Sequence, residues 1–452
     1  MPEGDAVLKA KLSFYIVLSL LALFACSDRL QKQSSQAKIS DVSQRPNVFD
    51  DLTFGPEFEF DIPTHDVERR AEVAADRILA AYHTVRSSAK KFSDNMTLLE
   101  NGFVFDMARF SGFKEHFSKV IFTKEEAQVS KFSTEYFRLS LVPKEGDPLF
   151  LDPVLIKYTK DDVLFEVHLS PLKLKQLKAV EPLVDLFVFE SLTQAGLVVP
   201  RSGGGHIHIG LKGLVDSLSG DLALTNKTLF NFVTSLYTSD DFVKTFMRPH
   251  EVYAVMPSMV SAYGRQLVDQ SLQAWLKDFS QLEIDDYSAF RMWLDDVFQD
   301  VTLANYLDDI TADRAQGAYH NFNKFDDIIA DRKAWNAPPR TFLVMYSALR
   351  YRYHHDTLEI RALASQRKMA DFISAARFFG GLLTGSSTME PQLAATSLPA
   401  GETYSHMLPN SISEKAKIQA YKLFDIAGIS DKEEKIRTLL SLQPLIGICN
   451  DN

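Results

Sequence analysis

The chain contains few cysteines, and its basic residues are outnumbered by its acidic ones. Cys26 and Cys449 are its two cysteines among 452 residues, so a zinc site built from several cysteine thiolates is excluded. Lysine and arginine total 49 against 59 aspartates and glutamates, which gives a net charge of -10. A general nucleic-acid binder needs a basic surface to displace counterions from phosphates, so this composition disfavours that class of protein.

Two common phosphate-binding motifs are also missing from the sequence. Neither a Walker-type loop nor a GxGxxG turn between a strand and a helix occurs, and the three glycines at 203–205 do not substitute for either. The hydrophobic content of 46% is nevertheless ordinary for a globular protein and is enough for a large core. Disorder therefore does not dominate the chain.

The N-terminal segment has the composition of a secretion signal. Lys9 and Lys11 precede an apolar run at 12–25, which is too short to span a bilayer comfortably. The run ends in Leu-Phe-Ala-Cys at Cys26 and resembles a bacterial lipoprotein signal, in which this cysteine is lipidated. We expect a signal peptide at 1–25, a lipid anchor and flexible tether at 26–47, and a location in the bacterial cell envelope, facing the periplasm or the outside. An ordinary N-terminal anchor helix is the alternative.

The rest of the chain predicts a folded body with both strands and helices. We expect it to span 48–385, with a helical insertion at about 227–335 and a C-terminal helical extension at 386–452. Periodicity and turn residues predict strands at 52–61, 135–143, 150–158 and 162–169, and helices at 67–90, 182–196, 227–331, 340–353 and 369–383.

Three strand-like segments share one arrangement, in which two polar side chains are separated by one apolar residue. The pairs are Glu57 with Glu59, His206 with His208, and Glu359 with Arg361. Because side chains alternate across a strand, each pair points to one face, with its members about 6.6 Å apart along the chain. Burying such groups is costly unless matching charges are supplied. A divalent metal ion together with a phosphate would match all three pairs.

Two of these pairs also have simpler explanations. The acidic face of Glu57 and Glu59 is equally compatible with a strand that meets solvent. Glu359 is a potential metal ligand and Arg361 suits phosphate oxygens, but a cross-strand salt bridge explains them as well.

The histidine pair gives the strongest of the three signals. It directly follows the glycines at 203–205, which allow another backbone or a phosphate to approach closely. Imidazoles suit Mn²⁺ or Zn²⁺, so His206 and His208 are candidate ligands. Glu166 and His168 repeat the alternating pattern, although a solvent-facing strand explains that pair about as well.

The order of four motifs resembles a known superfamily. Gly-x-Glu-x-Glu is followed by Phe-Glu-Val-x-x-Ser-Pro, then Gly-x-His-x-His-x-Gly, then Leu-Glu-x-Arg. This order resembles the carboxylate-amine ligases of the glutamine synthetase and glutamate-cysteine ligase superfamily, most closely the amidoligase branch, over about 52–383. The resemblance implies an α+β catalytic domain in which a mainly antiparallel sheet, packed with helices, forms a funnel-shaped active site.

The resemblance also implies a reaction and a set of roles. A carboxylate would be activated by ATP as an acyl phosphate and attacked by an amine, with an amino acid or peptide as substrate. Mg²⁺ or Mn²⁺ would be held by acidic and histidine ligands, namely Glu57, Glu59, Glu166, His206 and Glu359. Glu166, Ser170 and His208 would contact the substrate. Glu359 and Arg361 would be catalytic, with Arg361 contacting the transferring phosphoryl group.

Two features depart from that superfamily and keep other functions open. Pro56 removes a backbone donor, which predicts a position at a sheet edge or a strand start. A lipoprotein signal would send the protein to a compartment where ATP is scarce. The alternatives are a non-catalytic ligand- or peptide-binding lipoprotein that retains the ligase fold, and a metal-dependent hydrolase that uses His206 and His208.

Overall fold

The chain forms a mixed α+β structure built on one large antiparallel sheet, as the coarse fold prediction states. The computed structural model describes residues 48–63, 70–128, 134–160, 164–199, 205–247, 262–279, 282–316, 349–390 and 412–442. The predicted signal peptide, Cys26 and the predicted tether lie outside these residues. Among the helices in the described ranges, none is both long and apolar enough to cross a membrane.

The strands of the sheet come from widely separated parts of the sequence. In chain order they are β1 (Thr53–Phe60), β2 (Asn95–Leu99), β3 (Gly102–Asp106), β4 (Phe117–Gln128), β5 (Thr134–Pro143), β6 (Val154–Lys160), β7 (Phe165–Leu169), β8 (Leu172–Lys173), β9 (His206–Gly210), β10 (Leu349–Arg352) and β11 (Thr357–Ile360). Their order across the sheet is β10-β11-β9-β1-β7-β6-β5-β4-β3-β2, with β8 also paired to β1. Every pairing is antiparallel. The sheet therefore places β1 between β7 and β9.

One face of the sheet is apolar because apolar residues alternate with polar ones along its strands. The pattern is clearest in β5, where every second side chain is buried. Phe137 of β5 stacks on Tyr158 of β6 with ring centroids 4.3 Å apart, and Phe58 of β1 contacts Phe189 and Phe372 from the helices. The main core consequently lies between this face and the helices.

Helices pack against the apolar face and against one another. They are α1 (Val48–Asp51), α2 (Arg70–Lys91), α3 (Phe113–His116), α4 (Leu174–Val184), α5 (Ser191–Gln194), α6 (Leu211–Ser217), α7 (Leu222–Tyr237), α8 (Asp240–Phe246), α9 (Ala262–Phe279), α10 (Tyr287–Gln316), α11 (Met369–Ser386), α12 (Glu414–Ile426) and α13 (Lys432–Leu442). A π-helical turn over Asp185–Glu190 joins α4 to α5. Helix α11 packs against α4, α7, α12 and α13, which makes it the centre of the helical layer.

Most predicted elements are present, but two predicted boundaries are wrong. The helix predicted to start at Pro182 begins at Leu174, and the proline lies inside it. The buried side chains on both sides of Pro182 offset the loss of one backbone hydrogen bond. The strand predicted from residue 150 starts at Val154, because the Phe150 amide donates to the Asp147 side chain in the preceding turn.

The prediction of a helix at 340–353 is wrong for its last part. Residues 349–352 form strand β10, which pairs with β11, and residues 340–348 lie outside the described part of the chain. Pairing with a strand that has its own partner on the far side outweighs a local helical pattern. Strands β2, β3 and β4 have no counterpart in the sequence predictions.

Pro56 does not lie at a sheet edge or a strand start. It lies inside β1, opposite Ile207 of β9. On the other side of β1, the pairing passes from Phe54 with Leu172 of β8 to Glu57 with His168 of β7. Gly55 and Pro56 fall in the gap between these two partners, where the ladder is already interrupted and a missing N–H is tolerated.

Helices also occupy the two regions that were predicted to be helical additions. Helices α7, α8, α9 and α10 fall largely within 227–335, and α12 and α13 follow residue 386. The domain boundaries themselves stay a prediction.

Candidate functional site

The polar face of the sheet brings the predicted site residues together. Glu57 lies opposite His206 of β9 and opposite His168 of β7. Glu59 lies opposite Glu166 of β7, so the acids of neighbouring strands stand side by side. Because residues that are directly opposite in a sheet point to the same face, these side chains share one surface.

The same alignment continues across the next two strands. Glu359 of β11 lies opposite His208 of β9 and opposite Arg350 of β10. Thr357 and Arg352 form the next pair on the same face. The polar pairs that are distant in sequence therefore form one continuous group.

Glu57 is at the centre of this group. Its Oε1 lies 3.1 Å from Nδ1 of His206, and its Oε2 lies 3.1 Å from Nε2 of His208 and 3.7 Å from Nδ1 of His168. Burial raises the pKa of Glu57, since the residue is 9% exposed, but the contacts with His206, His168 and His208 outweigh burial and hold the pKa well below its ordinary value. Glu57 is therefore ionised at neutral pH and fixed by three rings.

His206 has carboxylates at both ring nitrogens. Its Nδ1 is 3.1 Å from Glu57 and 3.6 Å from Glu359, and its Nε2 is 3.5 Å from Glu59. Burial and the nearby positive charge of Arg361 lower the pKa of His206 despite these acids, so the neutral ring with a single proton is favoured. A neutral imidazole ring has one N–H donor. The lone pair of its other nitrogen therefore faces a carboxylate oxygen. A cation at that nitrogen would resolve this contact.

His208 is fixed on both sides by neighbouring side chains. Its Nε2 contacts Glu57, and its Nδ1 lies 3.2 Å from Oγ1 of Thr357. A side chain at Gly55 would crowd His208, because a Cβ there would lie 3.3 Å from the His208 Cβ. His208 therefore orients Glu57 in this structure, while contact with a substrate stays a prediction.

Glu57, Glu166 and His168 form a group of potential metal ligands, which we call the acidic group. Each offers one ligand atom, and the three atoms lie within 4.8 Å of one another. His168 Nε2 also lies 3.3 Å from Glu166 and 3.0 Å from Oγ1 of Thr159. Burial lowers the pKa of His168, but attraction to Glu57 and the hydrogen bond to Glu166 exceed it and raise the pKa to about 8. Protonated His168 thus supplies positive charge beside Glu57 and Glu166, and a divalent cation could supply that charge instead.

Glu359 is surrounded by three arginines, Arg350, Arg352 and Arg361, which we call the arginine group. Arg350 donates to both carboxylate oxygens, at 2.6 Å from Nε and 3.0 Å from an outer nitrogen, while Arg352 and Arg361 each approach to 3.4 Å. Burial raises the pKa of Glu359, which is fully buried, but Arg350 and the other cations hold it well below its ordinary value. The carboxylate is therefore ionised and compensated by protein.

Arg361 has one buried donor that the described residues do not satisfy. Its Nε has no hydrogen-bond partner among them, although the side chain itself is 15% exposed. A buried unpaired N–H costs about 1–3 kcal/mol, so an acceptor is expected there. A ligand oxyanion is such an acceptor.

The turn between β10 and β11 is held by a separate cluster. Asp356 accepts from the hydroxyls of Tyr287, at 2.6 Å, and Tyr351, at 2.9 Å, and forms an ion pair with Arg291 at 3.0 Å. Its backbone has a positive φ of 53°, which aspartate tolerates better than most residues. Helix α10 thereby fixes the hairpin that carries Glu359 and the arginine group.

One predicted site residue, Ser170, has its hydroxyl engaged by the backbone of a neighbouring strand. The Ser170 hydroxyl accepts from the Leu155 amide at 2.8 Å and closes the end of β7 onto β6. Substrate contact by Ser170 stays a prediction. Arg350, Arg352 and His168 have no role in the predictions from sequence, although the Arg-x-Arg spacing of β10 shows the same alternation as the other pairs.

No family model, curated protein or solved structure matches this chain in comparisons with known proteins. The resemblance to carboxylate-amine ligases accordingly rests on the four motifs.

Proposed function

We propose that this protein is an ATP-dependent carboxylate-amine ligase of the amidoligase type that uses Mg²⁺ or Mn²⁺ and forms an amide or peptide bond. The observation that supports this most is the division of one sheet face into two parts. The acidic group lies on β1 and β7, and the arginine group lies on and after β10 and β11. A metal-phosphate ligand carries both complementary charges, as metal-bound ATP does.

The acidic group fits a divalent cation. Two carboxylates and an imidazole are an oxygen-rich donor set that suits Mn²⁺ or Mg²⁺ better than a thiolate-seeking metal. His206 and Glu59 border this group and add a second nitrogen and carboxylate in contact. A cation held there would neutralise phosphate oxygens and polarise the transferring phosphoryl group.

Glu359 fits a metal less well than the four other predicted ligands. Both of its oxygens already accept hydrogen bonds from arginines, and Arg350 holds it in a two-point contact. A metal ion would have to displace these donors from a fully buried carboxylate. We therefore assign the metal to the β1 and β7 side of the face.

The proposed reaction consists of two successive displacements. A substrate carboxylate oxygen bonds to the γ-phosphorus of ATP while the bond to ADP breaks. The amine nitrogen then bonds to the acyl carbon, inorganic phosphate leaves, and the amine proton passes to water or a nearby base. Arg361 would neutralise the charge that grows on the phosphoryl oxygens, and His206 and His208 would hold Glu57 in place.

The N-terminal segment motivates a second candidate function. We propose that Cys26 is lipidated and that the body faces the periplasm or the outside of a bacterial cell. ATP is scarce there, which favours a non-catalytic lipoprotein that binds an amino acid or peptide on the same face. Mass spectrometry of the membrane-extracted protein should show a lipid on Cys26 that is absent in Cys26→Ser, and an unmodified thiol would contradict this location.

The hydrolase alternative has less support. His206 and His208 contact different oxygens of Glu57, and the second nitrogen of His208 is bound by Thr357. Both histidines therefore orient Glu57, whereas a His-x-His metal site needs both rings to turn toward one ion.

Nucleotide binding and turnover test the ligase function. Full-length protein should bind ATP when Mn²⁺ is present, and should release ADP and phosphate when amino acids or peptides are supplied. Glu57→Gln and Arg361→Gln should each lower ATP affinity at least tenfold, whereas Glu145→Gln and Arg109→Gln, at exposed positions, serve as matched controls. Absence of nucleotide binding with either metal would contradict the ligase function, and tight binding of a peptide without nucleotide would favour the non-catalytic alternative.

A further inference from the structure

Arg352 is the most exposed member of the arginine group. It is two residues from Arg350 on β10, so both side chains lie on the polar face. One of its outer nitrogens is 3.4 Å from Oε2 of Glu359, and the side chain is 33% exposed, compared with 5% for Arg350. The guanidinium of Arg352 thus borders Glu359 while it still reaches solvent.

Arg350 makes the closest contact with Glu359, and its single charge equals that of the carboxylate. The pair is joined by two hydrogen bonds, one to each carboxylate oxygen, and such two-point contacts are among the strongest between a guanidinium and a carboxylate. Arg352 and Arg361 each add a weaker contact at 3.4 Å. The arginine group therefore has two positive charges that Glu359 does not neutralise.

The charges of Arg352 and Arg361 lie near one another on the polar face of the sheet. Arg361 contacts Oε1 of Glu359 and Arg352 contacts Oε2, so the two guanidiniums lie at opposite oxygens of the same carboxylate. Burial lowers the pKa of Arg350, and repulsion from Arg361 and Arg352 adds to this effect, so that the pKa falls to about 10 despite Glu359. The buried Nε of Arg361 also lacks an acceptor among the described residues. An anion would satisfy both features.

We propose that Arg352 and Arg361 form a binding site for a phosphate-class oxyanion, and that Glu359, neutralised by Arg350, is the buried support of this site rather than a metal ligand. This inference deepens the ligase function proposed above and rests on it for the identity of the natural ligand. Two planar guanidiniums offer several N–H donors, and a phosphate chain has enough oxygens to accept from both of them at once. Arg352 would add a second contact beside Arg361.

Binding of tripolyphosphate without metal tests the anion site. Full-length protein in EDTA should bind tripolyphosphate in calorimetry, and should bind inorganic phosphate more weakly. Arg352→Gln and Arg361→Gln should each weaken tripolyphosphate binding at least tenfold, Arg352→Lys should weaken it less, and Arg109→Gln should leave it unchanged. Wild-type protein that binds no tripolyphosphate, or an Arg352→Gln variant that binds like wild type, would overturn the proposal.

Metal binding tests the role of Glu359. Since Glu359→Gln leaves Arg350 without its partner and risks unfolding, the matched variant is the double change Arg350→Met with Glu359→Leu. Mn²⁺ affinity, followed by electron paramagnetic resonance, should stay within about threefold of wild type in this double variant and fall at least tenfold in Glu166→Gln. A tenfold loss in the double variant with circular dichroism unchanged would overturn the support role.

The anion site and the ligase function can be contradicted independently of one another. Tripolyphosphate binding that depends on Arg352, without any ATP-dependent amide formation, would leave the anion site standing and contradict the ligase. ATP-dependent amide formation that is unaffected by Arg352→Gln would leave the ligase standing and contradict the anion site.

Discussion

Arg350 and Glu359 form a buried ion pair with two hydrogen bonds, 2.6 Å and 3.0 Å long, and neither side chain is more than 5% exposed. Removing Arg350 leaves the buried Glu359 carboxylate with only the weaker 3.4 Å contacts to Arg352 and Arg361, whereas removing both members of the pair leaves no buried carboxylate to compensate. This difference makes the pair a sensitive test of the described geometry.

Arg350→Met should destabilise the fold by about 1–3 kcal/mol, because Glu359 loses its closest counter-ion and two hydrogen bonds and keeps only the 3.4 Å contacts to Arg352 and Arg361. The double change Arg350→Met with Glu359→Leu should recover most of that loss. Urea denaturation followed by circular dichroism measures both. A single variant that loses under about 1 kcal/mol would show that the two side chains are not paired as described.

Asp356→Ala should destabilise the hairpin of β10 and β11. The change removes the acceptor of Tyr287 and Tyr351 and leaves both hydroxyls without it, at a cost of about 1–3 kcal/mol. It also places alanine at a positive φ, which Asp356→Asn avoids, so asparagine should be the milder change. Thermal unfolding of both variants, with exposed His354→Ala as the control in the same turn, decides whether the cluster matters.

Asp147→Ala should destabilise the turn before β6. The carboxylate accepts from the amides of Leu149 and Phe150, each at 2.9 Å, and lies 3.1 Å from Nδ1 of His116. Its loss leaves two amides without their acceptor and should cost about 1–3 kcal/mol of unfolding free energy. Asp152→Ala, at an exposed position in the adjacent bend, is the matched control. Equal stability of the two variants in guanidinium denaturation would contradict the role of Asp147 as acceptor for the Leu149 and Phe150 amides.

Stability of the metal-free protein should fall with rising pH because of His168. Its pKa is raised from 6.5 to about 8 in the folded state, by attraction to Glu57 and a hydrogen bond to Glu166 that exceed the effect of burial. A raised pKa gives stability that is fully present below 6.5 and is lost as the pH passes through 8. The side chain is 34% exposed, so screening limits the expected effect to about 1 kcal/mol.

The measurement compares wild type with His168→Gln in EDTA. The difference in unfolding free energy between the two proteins should be larger at pH 6 than at pH 9. His354→Gln, on the exposed turn, is the control for general effects of removing a histidine. A difference that is constant over this pH range would contradict the raised pKa.

Much of the site could be predicted because its signals are local. Glu57 with Glu59, and His206 with His208, are recognisable from a period of two, and the strands that carry them form as the alternation predicts. The helices at Arg70–Lys91 and Met369–Ser386 also follow their periodicity. These features depend on near neighbours in the chain, which a sequence displays directly.

Other features could not be predicted because they depend on partners far away in the sequence. Residues 349–352 have a helical pattern locally and become a strand by pairing with β11. Pro56 suits an edge strand by its chemistry and is nevertheless accommodated in the middle of the sheet, at a gap between β7 and β8. The resemblance gives Ser170 a contact with the substrate, whereas the hydrogen bond of its hydroxyl with the Leu155 amide depends on the pairing of β7 with β6.

The sequence by itself determined which residues bear charge on one face of each strand, because side-chain alternation is a property of the extended backbone. The tertiary structure decided which of those faces meet and how their charges are shared. It places His168 beside Glu57 and Glu166, and it gives Glu359 to Arg350. Strand order and register fix these partners, and both arise from the packing of the whole sheet against its helices, which no short stretch of the chain contains.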